Sequence, residues 1–269
     1  NMKISKIRSD WNFEEASKIY NQPLLTLAYE ASRIHREYHE PNEVQVCTLL
    51  SVKTGGCPED CGYCPQAARY QTDVNAQKLL SVDEVVRAAK HAKEGGSTRF
   101  CMGAAWREVK DNTDFDNVLE MIRQVSAMNL EVCGTLGMAT EDQLKKMKAA
   151  GLHAYNHNID TSEEFYEDII STRNYVDRLG TLNNTRNANV TICSGGIIGM
   201  GESNADRIKM LLTLATLDRH PESVPINALV SIQGTPLEGK PPVSSWEMVR
   251  MIATARIMMP ASMVRLSAG

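Results

Sequence analysis

The chain has 269 residues, 42% of them hydrophobic, and a formal net charge of -4. That length suits a single α/β barrel of about 250 residues, while the weak negative charge argues against a nucleic-acid-binding protein, which would carry a basic patch or stripe. No apolar run reaches the ~18 residues of a membrane span, and no signal-peptide pattern opens the sequence, so we expect a cytoplasmic protein without membrane or nucleic-acid partners.

The first 40 residues are predicted to form a helical extension. Apolar residues recur at roughly helical spacing from Trp11 to Ile34, and Pro23 marks a break between two helices. A near-continuous apolar run follows at 44–52, which is typical of a strand buried on both faces of a parallel sheet. We therefore predict an N-terminal extension over residues 1–40 and a barrel domain over residues 41–269.

Helices and strands are predicted to alternate along the rest of the chain. Ser81 and Thr140 look like helix caps, and Gly95 and Gly151 look like helix ends. The predicted strands cover 44–52, 98–105, 130–136, 153–160, 189–198, 224–232 and 263–268. The predicted helices between them cover 81–95, 114–128, 140–150, 162–188 (in two pieces), 204–217 and 244–259.

Such alternation implies a parallel sheet with helical crossovers. Seven consecutive units favour a (β/α) barrel of the TIM type over an open doubly wound sheet, and no dinucleotide fingerprint follows the first strand. An eight-stranded barrel needs one further strand and helix after the seventh predicted strand. We expect that this chain lacks the eighth unit, that the natural protein continues, and that the first and seventh strands have unpaired edges.

One turn-rich loop, 55–65, holds three cysteines at C-x3-C-x2-C spacing, namely Cys57, Cys61 and Cys64. Glycine and proline between them forbid a continuous helix, so the loop can curl until three sulfurs converge. Because an iron–sulfur cube normally takes four cysteines, three would leave one iron open to a small molecule. A structural zinc ion with a distant fourth ligand is the alternative, and the aromatic Tyr63 before the third cysteine favours the cluster.

A second group of candidate ligands lies on separate predicted strands. Cys101, Cys133, Cys193 and Arg265 occupy the second, third, fifth and seventh strands, whose inward side chains could meet inside one barrel. A single buried cysteine often behaves as a small hydrophobic residue, but the set favours a second cluster. Cys47, on the first strand, is predicted to be a packed core residue without a ligand role. His153 and His157 are also interpreted as structural.

With Tyr63 directly before its last cysteine, the loop matches the signature of radical S-adenosylmethionine enzymes. The signature loop alone would indicate only the superfamily. Within it, the chain resembles the biotin synthase family. The combination of the three strand cysteines with Arg265 is specific to this family. The matching stretches extend along almost the whole chain and cover 56–66, 98–106, 155–160, 193–202, 221–228 and 255–269.

This resemblance implies that Cys57, Cys61 and Cys64 hold a 4Fe–4S cluster. Its fourth iron would bind the amino and carboxylate groups of S-adenosylmethionine. One electron would then cleave that molecule into methionine and a 5′-deoxyadenosyl radical, which supplies the radical chemistry that no side chain provides.

The resemblance also implies that Cys101, Cys133, Cys193 and Arg265 hold a 2Fe–2S cluster, the source of the sulfur inserted into dethiobiotin. Arginine is an unusual, weaker ligand than a fourth cysteine, which suits a cluster that is consumed. The family continues past the Arg265 strand, where it supplies contacts to the dethiobiotin carboxylate that are absent from this sequence.

The resemblance further implies that Asn158 and Asp160 lie near the substrate and the ribose of S-adenosylmethionine. Asn227 would contact the same pocket, and Gly199 would belong to the segment on the adenine side of S-adenosylmethionine. Without the resemblance, an asparagine at a strand end would indicate a turn or a cap.

The family also implies a homodimer and an electron-donor protein such as a flavodoxin or ferredoxin. The rival hypotheses are a radical S-adenosylmethionine enzyme without sulfur insertion and a non-catalytic zinc-binding scaffold.

Overall fold

The structure is a computed structural model, and it describes residues 6–267. Its helices are α1 (Phe13–Tyr20), α2 (Leu24–Tyr38), α3 (Val82–Glu94), α4 (Thr113–Ser126), α5 (Glu141–Ala150), α6 (Glu163–Tyr166), α7 (Tyr175–Asn187), α8 (Asn204–Ala215) and α9 (Ser245–Met258). Its strands are β1 (Cys47–Lys53), β2 (Arg99–Ala104), β3 (Glu131–Thr135), β4 (Leu152–Asn156), β5 (Thr191–Cys193), β6 (Gly196–Ile198), β7 (Ser223–Ala228) and β8 (Met263–Leu266).

Local capping explains where many of these helices begin. A capping box pairs the side chain before the helix with the third helical residue, so that two otherwise unpaired backbone N–H groups are satisfied. The predicted caps at Ser81 and Thr140 are confirmed, as are the ends of their helices at Gly95 and Gly151. Complete capping boxes occur at Asn12, Ser81, Thr140, Asn174 and Ser203.

The strands form one parallel sheet, as the alternation of strands and helices predicts. The order is β1-β2-β3-β4-β5-β7-β6, and β8 pairs with the other edge of β7. Among residues 6–267, β1 pairs only with β2 and β8 only with β7, so the sheet is a curled, partial barrel with two open edges. The predicted α/β barrel fold with an incomplete ring is therefore confirmed.

The single strand predicted over 189–198 is wrong. The structure divides it into β5 and β6, which both pair with β7, through Cys193 opposite Ser223 and Gly196 opposite Ile226. Between them, a Cβ atom at Gly195 would lie only 1.8 Å from the Pro225 carbonyl oxygen. Pro225 also has no N–H to donate, so the ladder is interrupted where the two backbones approach most closely.

The N-terminal helices pack against the end of the chain. Trp11 Nε1 donates to the Met258 carbonyl at 3.1 Å, and Arg250 Nη1 donates to the Gln22 carbonyl at 2.8 Å. Ala16 is buried in the same apolar cluster as α8 and α9. The helical extension is thus present, while the domain boundary at residue 40 stays a prediction. No helix within the described range is both long and apolar enough to cross a membrane.

Candidate metal centres and cofactor pocket

The three-cysteine loop follows β1 at the carboxyl edge of the sheet, which is where parallel barrels carry their active sites. The loop folds back on itself through backbone hydrogen bonds, from Cys57 N to the Gln66 carbonyl at 2.9 Å and from Ala68 N to the Cys57 carbonyl at 2.7 Å. Cys64 N donates to the Cys61 carbonyl at 2.9 Å. These bonds bring the three predicted ligands into one compact turn.

The thiols of this loop are buried or half-buried and protonated at neutral pH. Burial raises the pKa of Cys61 to about 12, and the nearby Asp160 carboxylate adds to the rise. Burial also raises the pKa of Cys57 and of Cys64. Among residues 6–267, no three cysteine, histidine or acidic side chains surround one point closely enough to hold an ion. Binding a metal here would therefore require the thiols to rotate together and to release protons.

Two acids between the cysteines fix the loop to the segment after α6, and sequence reasoning missed both. Asp60 accepts hydrogen bonds from Ser171 N at 2.9 Å and from Thr172 N at 3.1 Å. Burial alone would raise the pKa of Asp60, but the hydrogen bonds from Ser171 and Thr172 outweigh it and lower the pKa to about 2. The signal available in the sequence was a pair of acids, Glu59 and Asp60, between the predicted cluster ligands.

Glu59 is the more deeply buried of the two, with a side chain only 2% exposed. Its carboxylate lies 3.2 Å from Arg107 Nη1 and 3.7 Å from Arg173 Nε. Its Oε1 atom and the Arg173 Nε and Nη1 atoms are buried without a hydrogen-bond partner among the described residues. Arg173, within ion-pair distance of Glu59 in the cysteine loop, is thus incompletely hydrogen-bonded within the described part of the chain.

Asp160 lies beyond β4 in a left-handed conformation, with φ of 68°. Its carboxylate pairs with Arg178 on α7, and both side chains are almost completely buried. Burial alone would lower the pKa of Arg178, but the Asp160 charge outweighs it and the pKa is raised. Arg178 Nε also donates to the Tyr166 hydroxyl at 2.8 Å. Nothing in the local sequence of α7 marked Arg178, because its partner lies in another element.

The two predicted asparagines both contact the β5–β6 segment. Asn158 Oδ1 accepts a hydrogen bond from Gly195 N at 3.1 Å, and Asn227 Nδ2 donates to the Gly196 carbonyl at 3.1 Å. Each amide therefore has one end fixed by the backbone of the carboxyl edge. This arrangement holds the orientation of both side chains.

Gly199 forms part of a tight turn beyond β6, with φ of 97°. A Cβ atom there would lie 2.3 Å from Val243 Cγ2, so the position requires glycine. Its N–H already donates to Glu202 Oε1 at 2.7 Å, and Arg207 Nε donates to the same oxygen at 2.8 Å. The backbone N–H of Gly199 is thus used within the protein, and its contact with a ligand stays a prediction.

The strand cysteines form a row across the sheet. Cys101 and Cys133 are paired in register on β2 and β3, and their thiols lie within hydrogen-bonding reach. Cys193 Sγ lies 3.2 Å from Asn156 Nδ2 and 3.3 Å from Ser223 Oγ. Cys101 and Cys133 are therefore side by side, and Cys193 lies two residues beyond Thr191, the β5 residue in register with Cys133 through Ala154.

Cys47 extends this row, although it was expected to be a packed core residue. It is partly exposed, and Arg265 Nη1 donates to its sulfur at 3.1 Å. Its hydrogen bond with Cys101, followed by burial, raises the pKa of Cys47. Arg265 Nη2 donates to Gln45 Oε1 at 2.8 Å, whereas Arg265 Nε is buried without a partner within the described part of the chain.

The two histidines interpreted as structural differ from each other. His153 is at the surface, 3.7 Å from Glu131 Oε1. His157 is buried, and burial lowers its pKa well below the usual value, so that its ring is neutral at pH 7. Its Nε2 atom, like Ser194 Oγ, has no partner among residues 6–267. Since buried polar atoms are normally hydrogen-bonded, these orphaned atoms fit a site that takes up a polar group.

Two family models match the chain. One, described as the Radical SAM superfamily, covers residues 51–215, and the other, the Biotin and Thiamin Synthesis associated domain, covers residues 225–269. A biotin synthase from Cytophaga hutchinsonii is 65% identical over 266 residues, which make up 99% of this chain and 79% of that protein. Biotin synthases from Christiangramia forsetii and Nostoc sp. are 62% and 59% identical over 98% and 100% of this chain, and 72% and 80% of their own lengths.

Solved structures of low sequence identity share the fold. The FeFe-hydrogenase maturase HydG from Carboxydothermus hydrogenoformans has a TM-score of 0.83 at 18% identity, covering 96% of this chain and 62% of that one. Methylornithine synthase has a TM-score of 0.81 at 18% identity, covering 94% of this chain and 74% of that one. At such identities the likeness shows the architecture alone.

Proposed function

The chain belongs to the biotin synthase family of the radical S-adenosylmethionine superfamily, and we propose that its two cysteine groups carry out the family's sulfur insertion into dethiobiotin. It is a radical S-adenosylmethionine enzyme of biotin biosynthesis. The two cysteine groups are proposed to hold different clusters because they lie apart. One group is in a loop at the carboxyl edge, and the other forms a row within the sheet. When bound, the iron–sulfur clusters and S-adenosylmethionine supply the electron, the radical and the sulfur, none of which a side chain provides.

Cys57, Cys61 and Cys64 would hold the 4Fe–4S cluster. Their number suits a cluster with one iron left for another ligand, because such cubes otherwise take four cysteines. Asp60 and Glu59 keep the loop against 171–173, which fixes the position of the loop at the carboxyl edge of the sheet. The loop would thereby hold S-adenosylmethionine at the carboxyl edge of the sheet.

Cys101, Cys133, Cys193 and Arg265 would hold the 2Fe–2S cluster. The soft sulfur donors of the row suit iron, and Arg265 Nε is buried without a hydrogen-bond partner among residues 6–267, which leaves that atom available for a further contact. A hydrogen bond from Asn156 and the contact with Ser223 keep Cys193 in place.

Asn158, Asp160 and Asn227 would line the pocket between the two cysteine groups. An asparagine amide offers both a donor and an acceptor, which matches the ureido ring of dethiobiotin. Asp160 would bind the ribose hydroxyls of S-adenosylmethionine, with Arg178 donating to its carboxylate and holding it in position. Gly199 would lie on the side of the pocket that takes the adenine ring of S-adenosylmethionine.

We also propose that a flavodoxin or ferredoxin donates the electron and that the protein forms a homodimer.

Anaerobic reconstitution with iron and ³⁴S-sulfide tests these assignments. We expect one 4Fe–4S and one 2Fe–2S cluster per chain, and transfer of ³⁴S into biotin when dethiobiotin, S-adenosylmethionine and reductant are added. C57A should lose only the 4Fe–4S cluster and C133A only the 2Fe–2S cluster. A single 4Fe–4S cluster without 2Fe–2S absorption would sink the sulfur-insertion assignment, and bound zinc with no cluster would support the scaffold hypothesis.

A further inference from the structure

The turn at 199–202 follows β6 and is closed by one buried carboxylate. Glu202 has a side chain that is only 1% exposed. Its Oε1 atom accepts a hydrogen bond from Gly199 N at 2.7 Å, and its Oε2 atom accepts from Met200 N at 2.7 Å and from Gly201 N at 3.1 Å. Three consecutive backbone N–H groups therefore converge on one side chain, which sets the shape of the turn at the carboxyl edge of the sheet.

Arg207 on α8 is the cation that pairs with this carboxylate. Its Nε donates to Glu202 Oε1 at 2.8 Å, and its own side chain is mostly buried. A buried carboxylate that loses its cation is left with an uncompensated charge, which is costly. Arg207 therefore fixes Glu202 in place, and through Glu202 it fixes the three N–H groups of the turn.

Arg207 is itself held by α9 and by the N-terminal extension. Its Nη1 donates to Glu247 Oε2 at 3.1 Å, and the Tyr20 hydroxyl donates to the same oxygen at 3.2 Å. Tyr20 is the last residue of α1 and is almost completely buried. A continuous series of polar contacts thus connects α1, through α9 and α8, to the turn beyond β6.

We propose that Arg207 is a positioning residue for S-adenosylmethionine, and that Tyr20 of the N-terminal extension supports it. This inference rests on the proposed function, in which Gly199 lies on the adenine side of the pocket. Neither Arg207 nor Tyr20 contacts the ligand in this role. Both act through Glu202, which keeps the backbone of the turn in the shape that borders the adenine ring.

The test measures equilibrium binding of S-adenosylmethionine to the full chain after anaerobic reconstitution of the 4Fe–4S cluster. R207M should raise the Kd about 10-fold, which corresponds to the loss of one hydrogen bond between charged groups. Y20F removes only the hydroxyl that contacts Glu247 and should raise the Kd about 3-fold. R207K should fall between R207M and wild type, because a lysine ammonium lacks the planar fork with which the guanidinium contacts two carboxylates.

Two further readouts separate positioning from a general loss of stability. In steady-state assays of R207M, the KM for S-adenosylmethionine should rise by the same factor as the Kd, whereas kcat and the KM for dethiobiotin should stay at their wild-type values. In the cluster-free protein, amide hydrogen exchange over 199–202 should be faster in R207M than in wild type.

R186M is the matched control, because Arg186 and Glu222 form a similar ion pair, with Arg186 Nη1 2.6 Å from Glu222 Oε1. Glu222 directly precedes β7, so this pair lies at the amino edge of the sheet, away from the turn. R186M should bind S-adenosylmethionine with the wild-type Kd.

Equal Kd values in R207M and wild type, or equal increases in R207M and R186M, would overturn the proposal. If R207M gives no soluble protein, R207K and Y20F decide by the same comparison. A wild-type Kd in Y20F would overturn the role of the N-terminal extension. A wild-type chain that binds no S-adenosylmethionine would overturn the proposed function itself and this inference with it.

Discussion

The guanidinium of Arg265 on β8 donates a hydrogen bond to the side-chain oxygen of Gln45, just before β1, over 2.8 Å. These two residues lie at opposite edges of the sheet, which has no backbone ladder between β1 and β8 in the described range. Gln45 in turn donates to Glu131 Oε2 at 2.8 Å, and Arg99 Nη2 lies 2.8 Å from the same carboxylate oxygen. A polar network of side chains therefore spans the open edges of the partial barrel.

Removing Gln45 should weaken this connection. Q45L loses the hydrogen bonds to Arg265 and to Glu131, and we expect the free energy of unfolding to fall by about 1–3 kcal/mol. Urea unfolding of the cluster-free protein measures the change. Q124L, on the exposed side of α4, should change stability by less than about 0.5 kcal/mol. Equal effects of the two substitutions would show that the network contributes nothing specific.

Asp60 should make stability depend on pH. Its folded pKa of about 2 lies below the 3.8 of an ordinary aspartate. The carboxylate therefore stabilises the fold fully above about pH 4, and this contribution disappears as the pH falls towards about 2. In urea unfolding of the cluster-free protein, wild type should exceed D60N by about 1–2 kcal/mol at pH 7, and the difference should shrink with acidification. An unchanged difference down to the lowest accessible pH would contradict this.

D218N provides the comparison for that experiment. Asp218 is exposed, in the turn that follows α8. Its substitution should change the free energy of unfolding by less than about 0.5 kcal/mol at neutral pH.

The buried pair of Asp160 and Arg178 should be strongly coupled. R178M leaves the carboxylate buried without its cation, and we expect a loss of about 3–5 kcal/mol in the free energy of unfolding. The double variant D160N/R178M removes both charges and should be more stable than R178M alone. A double-mutant cycle measured by urea unfolding checks this, and additive losses would mean that the two side chains do not stabilise each other.

Two glycine substitutions should act in opposite directions. G195A would place its methyl group against the Pro225 carbonyl oxygen, 1.8 Å away, so we expect severe destabilisation or no folded protein. In G180A the new methyl group meets no atom within 4 Å, on the exposed side of α7. That substitution should stabilise the helix by about 0.5–1 kcal/mol. Thermal unfolding of both variants, with soluble yield for G195A, gives the comparison. A stable G195A would contradict the close approach of Gly195 to Pro225 on β7.

The sequence predicted local features well where a few neighbouring residues decide the outcome. The helix starts at Ser81 and Thr140 were predictable because a cap contacts a residue only three positions away. The break at Gly195 was not, because it depends on the backbone of Pro225, which lies on another strand. The predicted strands 153–160 and 224–232 are also shorter in the structure, ending at Asn156 and Ala228.

The sequence by itself determined the type of chemistry: the spacing in the cysteine loop, the three further cysteines on separate strands, and the alternation that makes a parallel sheet. Only the tertiary structure decided that Cys47 joins the row through a contact with Arg265, 218 residues away, and that Arg178 pairs with Asp160. Periodicity and spacing describe each element along its own axis. Which side chains meet across the sheet depends on strand register and helix packing, and these are set by contacts between residues far apart in the chain.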